Sequence, residues 1–177
     1  MARVSPPSGA LAPAAKAELE RQLAAHGRVT NLKKMLAHSP AGLVALMEWY
    51  PLRDELATFL GDRLTTLFAH AVSMETECLI CSTFFRRILV DSGENPDRLR
   101  LDERESAVVD YGVALARDPR RVGDDVFDRV AKVLSPPQIV ALTAFGGMLI
   151  ATNVVVNALQ IDLDEYLHDY RRPGAVK

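Results

Sequence analysis

The chain carries two cysteines, Cys78 and Cys81, and both lie in the stretch ETECLICSTFFRRIL. Two residues separate them, so in a helix they would lie one turn apart on the same face. Two thiols so placed can act as a redox pair, form half of a metal site, or pack as small apolar residues. Most of what the sequence says about function depends on which of these applies.

A redox pair is favoured if Cys78 starts a helix that ends near Val90. The β-carbons of the two cysteines would then lie about 5–6 Å apart, and a small adjustment at the helix terminus would allow a disulfide. The free N–H groups of a first helical turn stabilise a thiolate, which is the nucleophile. One sulfur could attack a substrate and the other could resolve the product as a disulfide.

Other features of the same stretch oppose a reactive thiolate. Glu75 and Glu77 precede Cys78, and nearby negative charge raises the pKa of a thiol. The apolar residues between the cysteines would desolvate the thiols, which acts in the same direction. A metal site has the least support, because there is no second CxxC and His70 is the only histidine close in sequence, whereas structural zinc takes four ligands. A redox pair and two packed core thiols both remain open from the residues alone.

The composition is that of one globular domain. The chain has 177 residues, 49% of them apolar, and a net charge of −2, which is enough material for a sizeable core. No long basic run is present, so neither a nucleic-acid partner nor an anionic membrane surface is predicted. No G-x-G-x-x-G fingerprint occurs, and we expect no nucleotide cofactor. The N-terminal residues contain no apolar stretch of signal-peptide length, so the expected location is cytoplasmic.

The segment from Val133 to Ile161 contains no charged residue and is long enough to span a bilayer. Two glycines, two asparagines and other polar residues lower its mean hydropathy, and basic anchors do not flank it closely on both sides. We therefore predict a buried central helix there and no association with a membrane.

Helix signals follow one another along the chain, and strand alternation is scarce. Gly27, Gly61 and Gly93 read as helix stops; Ser39, Asp62 and Asp102 read as N-caps. The helix that Ser39 opens is expected to run to Pro51, and a short helix from Asp54 to Leu60 is expected before the stop at Gly61. The sequence thus predicts an all-α fold, with a flexible arm at residues 1–14, a single domain at 15–170 and a tail at 171–177.

This order of motifs resembles the carboxymuconolactone decarboxylase and alkylhydroperoxidase D (AhpD) superfamily. The CxxC that opens a helix carries the resemblance, together with three further segments that extend it over roughly residues 28 to 168. These are VTNLKKMLAHSPAGLVALMEWYPL, LDERESAVVDYGVALARDP and LSPPQIVALTAFGGMLIATNVVVNAL, the last of which includes Asn153. The resemblance implies an AhpD-like helical bundle that assembles as a homo-oligomer, a trimer or a hexamer. It also implies reduction of a small hydroperoxide or disulfide substrate through the cysteines, with electrons from a thiol reductant or a redox partner protein.

The proton-transfer residues of that family do not match. The positions of its relay glutamate and histidine are Thr66 and Phe85 here, and Ile80 stands where some members have a second histidine. Thr66 is a poor base, and Phe85 carries no proton. His70, one turn after Thr66, is the nearest substitute, and we take Cys78, Cys81 and His70 as the candidate catalytic residues, with no metal and no cofactor.

Several alternatives stay open. Glu75 and Glu77 could serve as bases in place of His70, and Phe84 and Phe85 could line an apolar access channel. Family analogy assigns the peroxide to Cys81 and resolution to Cys78, whereas helix-terminus electrostatics favours Cys78 as the more acidic thiol. The scaffold could also be a non-catalytic helical oligomer that binds partners, or, with less support, a lactone decarboxylase.

Overall fold

The computed structural model describes residues 2–172, and this part of the chain contains no strand. The predicted all-α fold is confirmed. The predicted tail at 171–177 lies outside the described residues from position 173 onward. The elements are helices α1 (Pro13–His26), α2 (Asn31–Leu36), α3 (Pro40–Met47), α4 (Trp49–Glu75), α5 (Leu79–Asp91), α6 (Glu103–Arg117), α7 (Asp124–Val133) and α8 (Pro136–Leu159), then a 3₁₀ helix (Glu165–Tyr170).

Several helices begin and end at the residues that the sequence predicts. The Ser39 side chain accepts the Gly42 N–H at 3.2 Å at the start of α3. Asp102 and Glu105 form a reciprocal capping box at the start of α6, and Gly27 ends α1 with a φ of 72°. Each of these groups satisfies a backbone donor or acceptor that has no partner inside the helix.

Helix α4 differs from the prediction. Two helices separated at Gly61 were expected, the first starting near Asp54, but the helical path begins at Trp49 and is continuous except for Gly61, which has φ 78° and ψ 162°. Pro51 fits in the first turn because its missing N–H has no helical partner there. Asp62 does not act as an N-cap; its carboxylate accepts a hydrogen bond from Arg53 at 2.6 Å.

The core forms where α4 packs against α5, α6 and α8. The fully buried rings of Phe68 and Phe145 stack here with their centroids 6.1 Å apart. Helix α8 is the uncharged central helix that the sequence predicts. By length and composition it could cross a membrane, and 44% of its most apolar window is buried inside the fold.

The residues before α1 run along the surface near the end of α8. The Arg3 N–H donates to the Leu159 carbonyl at 2.9 Å, and the Ser5 carbonyl accepts a hydrogen bond from the His38 ring at 2.8 Å. Together with the 3₁₀ helix, these contacts surround the end of α8 that lies close to the cysteines.

Candidate active site

The turn between α4 and α5 places both cysteines at a helix N-terminus. Glu77 takes a left-handed conformation with φ 52°, and the Cys78 N–H donates a hydrogen bond to the Ser73 carbonyl at 3.0 Å. Cys78 is thereby the N-cap of α5, and its sulfur accepts the Cys81 N–H at 3.3 Å. This confirms the predicted start of the cysteine helix.

The two thiols project toward each other. Both cysteines are free and buried; Cys78 is 0% exposed and Cys81 is 8% exposed. The hydrogen bond to Cys78, followed by burial, raises the pKa of the Cys81 thiol well above its ordinary value. The geometry therefore brings together the two sulfurs that a disulfide would join, and in the dithiol state Cys81 holds its proton.

Cys81 lies in the wall of a cavity of about 80 Å³ that is partly open to solvent. Residues from α2, the start of α4, α5, α8 and the 3₁₀ region line this cavity, which we call the Cys81 cavity. Cys78 is not among its lining residues and lies behind Cys81. A small molecule that enters would therefore meet the Cys81 sulfur.

One side of the cavity is aromatic. Trp49 stacks on Tyr50 with their centroids 4.1 Å apart, and Phe84 and Phe85 meet Trp49 edge to face. The same four residues also line a second cavity of about 320 Å³, and Thr66 is another of its lining residues. The aromatic side chains therefore form a wall between the two spaces.

The other side of the Cys81 cavity is polar, and its most unusual member is Lys33. This residue is 3% exposed, and within residues 2–172 its ammonium has no hydrogen bond and no ion pair. The ammonium instead lies 5.2 Å from the centre of the Tyr50 ring, a cation–π contact. Burial lowers the pKa of Lys33 to about 8.

Two acceptor oxygens of the same cavity lack partners among the described residues. Asn153 donates through Nδ2 to the Thr76 hydroxyl at 2.7 Å, which leaves its buried Oδ1 without a hydrogen bond. Asp164 accepts the Asn31 N–H at 2.8 Å through Oδ1, and its buried Oδ2 has no partner. Burial raises the pKa of Asp164. Buried polar atoms without partners are rare and mark places where water or a ligand supplies the missing bond.

His70 does not join the cysteines. It lines none of the cavities described here, and its charged neighbours are Arg86, Asp97 and Arg172. Arg86 forms a two-pronged salt bridge with Asp97 at 2.5 and 3.0 Å. Burial, reinforced by Arg86, lowers the pKa of His70 to about 4, so it is a neutral core residue at neutral pH.

The other candidate bases are also placed elsewhere. Glu75 forms a salt bridge with Arg117 at 2.8 Å, Glu77 is exposed, and Thr66 donates to the Asp62 carbonyl at 2.8 Å. Over residues 2–172, no group of three or more His, Cys, Asp or Glu side chains could hold a metal ion. Lys33 and Asp164, which sequence reasoning missed, are the charged residues that face the Cys81 cavity.

No protein-family model matches this sequence. No curated protein matches it either.

Solved structures do resemble it closely in fold. A peroxidase-related protein of Ralstonia eutropha JMP134, described as an alkylhydroperoxidase AhpD core, has a TM-score of 0.77 at 17% identity, with 94% of each chain covered. A peroxidase-related protein of Silicibacter sp. TM1040 has a TM-score of 0.75 at 18% identity, with 96% of each chain covered. A variant of the debrominase Bmp8 in complex with 2,3,4-tribromopyrrole has a TM-score of 0.77 at 16% identity, with 94% of each chain covered. The chain therefore has the AhpD-like fold that its sequence resembles.

Proposed function

We propose that this AhpD-like chain is a thiol peroxidase that reduces small hydroperoxides through Cys78 and Cys81. One observation carries the proposal: Cys81 lines a cavity while its thiol is hydrogen-bonded to Cys78, the N-cap of the same helix. A nucleophile that faces a cavity and a second thiol directly behind it are the two parts that dithiol chemistry requires.

The reaction balances with two thiols and no cofactor. The Cys81 thiolate forms a bond to the terminal oxygen of the hydroperoxide, the O–O bond breaks, and the departing oxygen takes a proton to leave as an alcohol. Cys78 then attacks the sulfenic acid of Cys81, water leaves, and a Cys78–Cys81 disulfide forms. The substrate gains two electrons and the thiol pair loses two. An external thiol reductant or a redox partner protein restores the dithiol by exchange.

The roles of the two cysteines follow from their access. Cys81 borders the cavity, whereas Cys78 is fully buried behind it. We therefore assign attack on the oxidant to Cys81 and resolution to Cys78. This assignment agrees with the family analogy and not with helix-terminus electrostatics, the opposing argument from the sequence.

The size of the cavity limits the substrate. An engineered cavity of about 150 Å³ holds one benzene molecule, and the Cys81 cavity has about half that volume. Hydrogen peroxide and short alkyl hydroperoxides fit this space. Bulkier hydroperoxides would need the aromatic wall to move.

The first prediction concerns turnover by cysteine variants. With dithiothreitol as reductant, the wild-type protein should consume hydrogen peroxide and ethyl hydroperoxide, and Cys81→Ser should lower the rate by at least about a hundredfold. Cys78→Ser should form a sulfenic acid at Cys81 that accumulates, since the resolving thiol is gone. Dimedone labelling and mass spectrometry would locate that sulfenic acid.

Ser82→Ala is a matched control, because Ser82 lies in the same helical turn and its hydroxyl donates to the Leu79 carbonyl of its own helix. It should keep wild-type turnover. A wild-type protein that consumes peroxide no faster than the Cys78→Ser/Cys81→Ser double variant would exclude the peroxidase and leave the non-catalytic scaffold.

A second candidate is reductive dehalogenation of a small aromatic ring, which the aromatic wall and the fold of the debrominase favour. Cys81 would take the halogen as a sulfenyl halide, the ring carbon would take a proton, and Cys78 would displace halide to form the disulfide. We rank it second because a tribrominated ring exceeds the volume of the cavity. Release of bromide from tribromopyrrole faster than hydroperoxide consumption would reverse this order.

A further inference from the structure

Reduction of a hydroperoxide needs a proton donor at the departing oxygen, because an alkoxide is a poor leaving group. None of the candidate relays from the sequence reaches the Cys81 cavity in the described residues: His70 packs beside Arg86, and Glu75 pairs with Arg117. The donor must be sought among the groups that line the cavity.

Five titratable side chains of residues 2–172 line it: Lys33, Tyr50, Cys81, Asp164 and Tyr166. Burial raises the pKa of Tyr50 to about 12 and also raises the pKa of Tyr166. Asp164 is fixed through Oδ1 to the Asn31 N–H and presents an acceptor oxygen. Lys33 is 3% exposed as a residue, and within residues 2–172 its ammonium has no ion pair or hydrogen bond; its contact there is with the Tyr50 ring at 5.2 Å.

We propose that Lys33 is a catalytic residue that donates the proton to the departing oxygen of the hydroperoxide, and that the unpaired Oδ1 of Asn153 orients the peroxide by accepting its O–H. This inference rests on the proposed peroxidase function. It gives a use to two side chains that line the same cavity: Lys33, whose ammonium has no ion pair or hydrogen bond within residues 2–172, and Asn153, whose buried Oδ1 has no partner there.

The atoms and charges balance in this step. The Cys81 thiol loses its proton to water, the thiolate forms the S–O bond, and the O–O bond breaks. Lys33 gives a proton from its ammonium to the departing oxygen, which leaves as an alcohol. The resulting neutral amine takes a proton back from water, so Lys33 is unchanged over the cycle.

The surroundings of Lys33 suit a proton donor. Glu18 and Arg21 of α1 oppose each other in their effect on the ammonium, and Asp164 at the start of the 3₁₀ helix favours its charged form. The Tyr50 ring of α4 supplies a cation–π contact. Burial outweighs these charges and lowers the pKa of Lys33 to about 8, which is close to the pH at which a general acid is most effective.

The test compares two oxidants of similar size whose leaving groups differ. Ethyl hydroperoxide releases a strongly basic ethoxide, whereas peracetic acid releases a weakly basic acetate that needs no proton. Lys33→Met keeps the length of the side chain and removes the ammonium. We expect it to slow oxidation of the dithiol by ethyl hydroperoxide about a hundredfold and to slow oxidation by peracetic acid by less than about tenfold. Stopped-flow fluorescence of Trp49, the single tryptophan and part of the cavity wall, would follow both reactions.

Two further variants sharpen the result. Lys33→Arg keeps the positive charge but does not release a proton near neutral pH, so it should behave like Lys33→Met toward ethyl hydroperoxide. Lys34→Met, at the exposed neighbouring position, is the matched control and should match the wild type with both oxidants. Circular dichroism and thermal melts would show that all variants fold.

The pH dependence gives an independent readout. The reactive state combines the Cys81 thiolate with the Lys33 ammonium, so the two groups together carry one dissociable proton. This one-proton state is reached as pH rises to about 8, the pKa of Lys33. The wild-type rate with ethyl hydroperoxide should rise tenfold per pH unit below that value and then level, while the Lys33→Met rate should keep rising.

The outcomes separate the two proposals. If Lys33→Met slows both oxidants equally, or neither, Lys33 is not the proton donor even though the peroxidase function stands. If the wild type is no faster than the double cysteine variant, the peroxidase function fails and this inference fails with it.

Discussion

Two buried bases of this protein lie in opposite settings. Lys33 borders the cavity that Cys81 faces, and within residues 2–172 its ammonium has no ion pair or hydrogen bond. His70 is packed under the Arg86–Asp97 salt bridge, away from that cavity. Both lose affinity for protons mainly through burial, but of the two only Lys33 lines the Cys81 cavity. A shifted pKa therefore suggests chemistry only where a cavity gives access to the group.

His70 should affect stability in acid and not catalysis. Its pKa is about 4 when folded and returns to about 6.5 on unfolding. Between these values the unfolded chain binds a proton that the folded one does not, so the free energy of unfolding should fall by up to about 3 kcal/mol as pH drops from 6.5 to 4. Denaturant unfolding of wild type and His70→Gln at pH 7.5 and pH 4.5 would measure this, with a smaller drop in the variant.

The same variant tests the relay role that the sequence suggested. Hydroperoxide turnover by His70→Gln at pH 7.5 should stay within about twofold of the wild type, since the ring does not line the Cys81 cavity. A loss of turnover as large as that expected for Lys33→Met would reinstate His70 as the relay.

The sequence pointed to the cysteines and not to Lys33, and the reason is physical. A CxxC fixes two thiols at i and i+3 whatever the rest of the fold does. In NLKKML, by contrast, Lys33 and Lys34 look alike in the sequence. The packing of α2 against Tyr50 buries Lys33 and leaves Lys34 exposed. Asp164 comes into the site from a position 133 residues away from its partner Asn31, which no local pattern reveals.

At the scale of the helices, local signals predicted most boundaries. Caps at Ser39 and Asp102 and the stop at Gly27 depend on neighbours within four residues, so the sequence reveals them. The start of α4 was misplaced because Pro51 was read as an end. A proline ends a helix when it falls in the interior, but it is tolerated in the first turn, where Trp49 and Tyr50 place it.

The contact between α4 and α6 depends on Gly112. A β-carbon at this position would lie 2.8 Å from two ring carbons of Phe68 and 3.2 Å from Val72. The ring has little room to move, because Phe68 is fully buried and stacks on Phe145. We expect Gly112→Ala to lower the free energy of unfolding by about 1–3 kcal/mol through overpacking, although alanine favours a helix by about 1 kcal/mol. Urea denaturation would measure the change.

A double-mutant cycle identifies the cause. Phe68→Leu removes the ring atoms that the new methyl group meets, so Gly112→Ala should cost less in the Phe68→Leu background than in the wild type. Equal costs in both backgrounds would show that the close approach to Phe68 is not responsible.

At the scale of the whole molecule, one face of α8 is buried and the other is bare. The buried face packs on α4 and carries Asn153 to the Cys81 cavity. The opposite face carries an uncharged stripe that consists of Val140, Ala144, Gly147, Ala151 and Val154. Their spacings of four, three, four and three residues are the pattern of a helix seam. Val140 is 69% exposed and Val154 is 59% exposed. A contiguous row of exposed apolar side chains is a candidate contact surface.

We propose that a second copy of the chain covers this stripe, in agreement with the homo-oligomer that the sequence resemblance implies. A bilayer is the other apolar partner that α8 could meet, but insertion would pull the helix away from α4 and destroy the cavity beside Cys81.

Light scattering after size exclusion should therefore give a multiple of the chain mass. Ala151→Glu should reduce it to one chain, because a carboxylate in a helix seam is desolvated without a partner. Ala24→Glu, exposed on α1, is the matched control and should keep the wild-type mass. A wild-type monomer that partitions into the detergent phase of a Triton X-114 separation would contradict the second copy and favour the membrane.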